Sequence, residues 1–439
     1  MSPEITTEYA DVVIAGTGAA GLYTALNLPR SYRVVMITKT TVEECDSMLA
    51  QGGICVLHDE DDYNAFFEDT LRAGHYENRR ESVDIMIRSS RAVINDLIRM
   101  GVRFAREDNG DLAYTREAAH SRARICYHKD ITGKEITTTL LRHVQACDNV
   151  EIREYTSMID IIEEDGECKG LIAQDKEGHT TRIMASATLM ATGGIGGLYE
   201  HTTNYPHLTG DALRIAAAHE IELEHTDYVQ IPPTSLYTTK PGRAFLISES
   251  CRGEGAILLN ANKERFTDEL QPRDVVTNAI HAQMEKEGSA HVWLSFERIP
   301  SDEIRHHFPT IYETCLAEGY DITKEPIPVV PAQHYFMGGV HVNKHSETTL
   351  PRLFAIGETS CNGVHGKNRL ASNSLLESLV FAKRAAEYSL KNYTSSLTGN
   401  PTVSSPVVPA PAIPASAVSA SAIMAASLDS PTPAAVYNN

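Results

Sequence analysis

Residues 10–28 read ADVVIAGTGAAGLYTALNL, and the reading of this stretch decides the fold. The apolar run 10–15 predicts a buried strand, and 19–28, with small residues on one side, predicts a helix. Between them Gly16-Thr17-Gly18-Ala19-Ala20-Gly21 is a GxGxxG. Alone, this could be an ordinary tight turn before a helix. Between a strand and a helix it has a specific physical use. Gly16 permits the turn, Gly18 lets the backbone approach a pyrophosphate, and Gly21 lets the helix pack close to the sheet. The helix start at Ala19-Ala20 offers unpaired N–H groups and a favourable dipole to phosphates. A second apolar run, 33–38 (RVVMIT), completes a βαβ opening.

That second run ends Ile37-Thr38-Lys39, without the acidic residue that usually takes a ribose diol there. Glu358, after the late strand Leu353–Ile356, is the expected substitute. Ala191-Thr192-Gly193 ends another strand-like run, 183–192, and is expected on the adenosine side. Three strand ends of this kind favour FAD over a plain NAD-binding dehydrogenase. Helical patterns cover 62–99, 135–147, 210–219 and 373–391, with a glycine turn at 130–133. Strand-like runs at 150–162 and 169–173 flank a turn at 164–167 and predict a β-meander. From about 230 to 340, Pro and charged residues interrupt mixed elements, which suggests a separate cap.

The chain has 439 residues and a formal net charge of −19. That charge disfavours a nucleic-acid partner or an anionic membrane surface, though it leaves room for a local basic pocket. Eight cysteines without a CxxC pair point to reduced thiols rather than a metal centre or disulfide framework. No apolar stretch approaches the roughly 20 residues of a membrane helix, and no signal peptide is evident. A soluble cytoplasmic protein is expected, with no metal and no membrane partner. Residues 392–439 are mostly Ser, Pro, Ala, Val and Thr, which predicts a disordered low-complexity tail.

Longer motifs extend over residues 1–391. They include Ser47-Met48-Leu49-Ala50-Gln51-Gly52-Gly53, Tyr114-Thr115-Arg116-Glu117 with His120-Ser121, and Thr209-Gly210-Asp211. Further on come Arg252-Gly253-Glu254-Gly255-Ala256, Pro272-Arg273-Asp274, His334-Tyr335-Phe336-Met337-Gly338-Gly339, and His365-Gly366-Lys367-Asn368-Arg369 running on to Ser374. In these the chain resembles the succinate dehydrogenase and fumarate reductase flavoprotein family, specifically its aspartate-oxidising branch. The resemblance implies an α/β, Rossmann-like FAD-binding domain (1–235 and 341–391) interrupted by an α+β capping domain (236–340). It also implies a C-terminal helical domain, whose place the low-complexity tail takes, so that domain is expected to be absent. The implied FAD contacts are Gly16, Gly18, Ala19, Ala20, Gly21, Thr38, Lys39, Ser47, Gln51, Gly52, Gly53, Ala191, Thr192, Gly193, Asp211, Glu358, Ser374 and Leu375. Respiratory members attach FAD through a histidine, and the matching position is Asp46, so noncovalent FAD is implied.

The resemblance also implies oxidation of L-aspartate to iminoaspartate, the first step of NAD synthesis. Oxygen or fumarate would accept the electrons, and quinolinate synthase would be a partner. A dicarboxylate needs cationic clamps, for which the fixed fork of arginine is suited. By resemblance these are Arg273 and Arg369, with His334, Ser248 and Gln230 as further ligands. Glu117 would face the substrate ammonium, although Ala118-Ala119 replaces the usual glycine-rich continuation. One position breaks the pattern. Gln230-Ile231-Pro232-Pro233-Thr234 has proline where the family has a carboxylate-binding histidine, so turnover is expected to be impaired. The alternatives are a catalytically weakened flavoprotein partner of quinolinate synthase and a fumarate-reductase-like enzyme.

Overall fold

A computed structural model describes residues 5–393, apart from 200 and 241. The tail expected at 392–439 falls outside the described residues from 394 onward. The opening motif builds strand β1 (Thr6–Ala15), helix α1 (Ala19–Leu26) and strand β2 (Val34–Ile37), with β1 and β2 parallel. Alternate residues of β1 enter different layers. Val12 and Ile14 pack with Leu22, Leu376 and Phe381, whereas Val13 and Ala15 pack with Leu171, Ala212 and Ile215. With both faces covered, the strand is apolar throughout instead of alternating.

On the far side of β1 lies the strand Thr180–Met190, parallel to it over nearly its whole length. The first half of that strand pairs antiparallel with Glu167–Asp175, and its last residues pair in parallel with Leu353–Ala355. The run expected at 150–162 divides at Tyr155, whose φ is +51°. Val150–Arg153 pairs with β2 at the sheet edge, and Thr156–Glu164 pairs with Glu167–Asp175. The meander therefore begins at 156. The turn expected at 130–133 ends inside a helix, Thr132–Gln145. A Cβ at Gly133 would stand 2.2 Å from the Ser47 carbonyl oxygen, so glycine brings this helix against the 46–50 segment.

A second sheet is built by Ser235–Leu236, Ile327–Val330, Val292–Ser295 and Ile257–Leu259, in that antiparallel order. It has its own core, in which Ile247, Leu258, Val276, Ile280, Leu294, Ile304, Phe308 and Ile311 pack together. The proposed capping unit rests on this separate core. No helix among the described residues is long and apolar enough to cross a membrane.

Candidate active site

Five parallel strands end on one edge of the large sheet: β1 at Ala15, β2 at Ile37, and the others at Met190, Ala355 and Arg153. Ligands of open α/β sheets bind beyond such carboxyl ends. Here those ends open into a cleft of about 1730 Å³, counting space open to solvent. Its wall contains Gly16, Gly18, Ala19, Ala20, Thr38, Lys39, Ser47, Gln51, Gly52, Gly53, Ala191, Thr192, Gly193, Asp211, Glu358, Ser374 and Leu375. Gly21 does not line it. Gly16 has φ +116°, and a Cβ there would lie 2.0 Å from the Ala191 carbonyl oxygen. Gly18 differs: within 4 Å a Cβ would meet only Ser47 Oγ, at 3.2 Å. The protein leaves that space open to a ligand, and the residues present fit FAD.

Two of the expected contacts also have partners within the protein. The Ala19 N–H is not free for a phosphate, because it donates to Ser47 Oγ at 3.1 Å. Glu358 follows the strand Leu353–Ala355 and not β2. Its strand lies three strand intervals from β2, about 14 Å at the usual spacing. The acid beside β2 is Asp211, whose carboxylate accepts from Lys39 Nζ at 2.8 Å. Glu358 accepts the Phe336 N–H at 2.9 Å. Burial and the neighbouring Asp46 charge push its carboxyl up to about 8. Asp46, raised by burial to about 7, also lines the cleft. A carboxyl there supplies no ring nitrogen for a flavin bond.

The same cleft is lined by Glu117, Ser248, Arg273, His334 and Arg369. Burial and the Arg273 charge push Arg369 down to about 10, and its guanidinium lies 4.5 Å over the Tyr335 ring. His334 is held well below its ordinary value by burial and by both arginines, so its imidazole is neutral. Gln230 needs a different role from the one expected, because it does not line the cleft. Its Oε1 accepts from Arg273 at 2.5 Å and from Arg369 at 3.2 Å, while its amide donates to Asn368 and to the Arg369 carbonyl. Gln230 therefore positions the arginines. Pro232 is buried and also absent from the cleft wall.

Sequence reading missed Glu249. Its carboxylate pairs with Arg273 at 2.6 Å and with Arg252 at 2.7 Å. Burial alone would raise its pKa, but the two arginine charges overcome that and hold it below the ordinary range. The signal was available: buried arginines require a counter-charge when no anion is bound. Arg243 and Thr203 also line the cleft, and neither belongs to an expected motif.

The model of the FAD binding domain family matches residues 11–375. An L-aspartate oxidase of Clostridium perfringens is 48% identical over 378 residues, covering 86% of each chain. One from Nostoc is 43% identical, covering 86% of this chain and 67% of its own. Among solved structures, an E. coli quinol fumarate reductase superposes with a TM-score of 0.84 at 31% identity, covering 90% of this chain and 72% of that one.

Proposed function

Because this chain belongs to the succinate dehydrogenase and fumarate reductase flavoprotein family of FAD-dependent oxidoreductases, we propose that it oxidises L-aspartate to iminoaspartate. The reading places it at the first step of NAD synthesis in the cytoplasm, with oxygen or fumarate as acceptor. One observation carries it: a fully buried carboxylate, Glu117, stands in the same wall as the two arginine clamps. Succinate and fumarate have no positive group to face such an acid, and aspartate has one.

Bound FAD supplies the two-electron acceptor. The chain supplies binding and orientation. Arg273 and Arg369 clamp the carboxylates, and Gln230 and Glu249 fix Arg273 in place before substrate arrives. Thr203 Oγ1 lies 2.6 Å from His334 Nδ1 and 3.3 Å from the Gln333 carbonyl oxygen. The carbonyl can only accept, so it takes the hydroxyl proton and Thr203 Oγ1 accepts from His334 Nδ1–H, which leaves Nε2 of the neutral ring as an acceptor. Preorganised donors such as the two arginines accelerate a reaction only as far as they favour the transition state over bound aspartate.

Pro232 supports a second reading, a slowly turning flavoprotein kept as a partner of quinolinate synthase. The deciding experiment mixes FAD-loaded protein anaerobically with L-aspartate or succinate and follows flavin absorbance. Bleaching by aspartate that exceeds bleaching by succinate is expected. Reduction by succinate alone would reverse the assignment, and reduction by neither would favour the partner role.

A further inference from the structure

Glu117 is gripped by two hydroxyls that come from different parts of the molecule. Ser372 Oγ, in the loop before helix Asn373–Tyr393, donates to Oε2 at 2.5 Å. Ser250 Oγ, on the short helix Glu249–Gly253, donates to Oε1 at 2.9 Å. Ser250 in turn accepts from Ser248 Oγ at 3.0 Å. A hydroxyl chain therefore runs from the expected carboxylate ligand Ser248 to the acid that would face the amine.

Neither serine is placed cheaply. Ser372 has φ +60°, a left-handed conformation that disfavours side chains. Its hydroxyl also accepts the Gly53 N–H at 3.1 Å, and its carbonyl accepts the Cys55 N–H at 3.0 Å. A Cβ at Gly52 would stand 2.1 Å from Glu117 Oε1 and 3.3 Å from Ser372 Oγ. The Gln51-Gly52-Gly53 strip of the cleft is therefore shaped around this carboxylate. Ser250 lies on a helix packed into the second sheet's core through Cys251.

We propose that Ser250 and Ser372 are positioning residues for amine recognition, aiming the Glu117 carboxylate at a substrate ammonium. Since Ser250 belongs to the second unit, the amine-reading set is complete only while that unit lies against the flavin-binding sheet. This inference rests on the aspartate reading above and names what enforces its selectivity. Removing one hydroxyl leaves a buried carboxylate oxygen unpaired and free to turn, while the arginine clamps keep their own partners.

The test uses the FAD-loaded Ser250→Ala, Ser250→Thr and Ser372→Gly variants, each first checked for an unchanged flavin spectrum. Anaerobic flavin reduction by rapid mixing gives the half-saturating L-aspartate concentration and the limiting rate constant, the KM and kcat of this half-reaction, and the absorbance change on titration gives the Kd for succinate. Ser250→Ala and Ser372→Gly are expected to raise the aspartate KM about tenfold, the effect of one hydrogen bond to a charged group. Their succinate Kd should stay within about twofold of the parent, and Ser250→Thr should restore the aspartate KM. Equal loss for both ligands, or no loss for either, overturns the inference while leaving the aspartate reading standing. A parent protein that neither binds nor is reduced by aspartate overturns both.

Discussion

Two sites show what single-position reading can and cannot reach. Ala118-Ala119 stands beside Glu117 in place of a glycine-rich continuation. Ala119 takes the strain itself, with φ +67°, and Glu117 still reaches the cleft. Pro232 promises a missing donor, and this prediction can be tested directly. Pro233 already confines residue 232 to extended backbone, so the backbone should accept histidine with little rearrangement. The clamps and His334 line the cleft, and the longer histidine side chain would have to reach it from a position behind the wall. Pro232→His is expected to raise the rate of anaerobic flavin reduction by aspartate roughly ten- to hundredfold, the value of a charge-assisted hydrogen bond. Rapid mixing measures this, and an unchanged rate with FAD bound would acquit the proline. Glycines and arginines in long motifs were legible one by one. Glu249, Ser250 and Ser372 were not, because their importance lies in which partners folding brings to them.

At the scale of elements, local period sufficed where burial is simple. The helix Asn373–Tyr393 was readable because its apolar positions recur on one buried side, whereas the run 150–162 concealed a break that only Tyr155's backbone reveals. That helix also buries an acid. Glu377 is 1% exposed, and burial pushes its carboxyl up to about 7 against the opposing hydrogen bonds of Asn362 and Ser378. The unfolded value is about 4.3, so the folded state holds this proton more tightly. Its stabilising contribution is therefore full below about pH 4 and is lost as pH rises through 7, in total roughly 4 kcal/mol. Glu377→Gln removes the titration and keeps an oxygen for Asn362. In urea unfolding, stability relative to the parent should shift in favour of the variant between pH 5 and pH 8. Parallel curves across that window would mean that the carboxyl titrates normally.

At the scale of the whole molecule, the cleft depends on contact between two units whose sequences give no hint of each other. Strand order and unit docking are set by residues far apart in the chain, and neither a period nor a motif encodes them. One such contact lies away from the cleft wall. Helix Pro309–Ala317, in the second unit, begins after Phe308, which has no side-chain oxygen to cap it. The cap comes from the other unit: Asp130 Oδ2 accepts the Ile311 N–H at 2.8 Å, across 181 residues of chain. Beside it the rings of Tyr127 and His307 meet with centroids 4.8 Å apart. A capping carboxylate contributes about 0.5–2 kcal/mol to its helix, and here the same bond also holds two units together. Asp130→Ala should therefore act on docking rather than on the flavin. Hydrogen exchange in residues 301–318 is expected to quicken, with FAD affinity unchanged because Asp130 does not line the cleft. Succinate should bind more weakly, by up to tenfold, since its wall includes Ser248, Glu249 and Arg273 from the loosened unit. Asp130→Asn, which keeps an accepting oxygen, should recover most of both effects. Faster exchange spread over the flavin-binding sheet as well would show that Asp130 supports the fold at large and is no latch between the units.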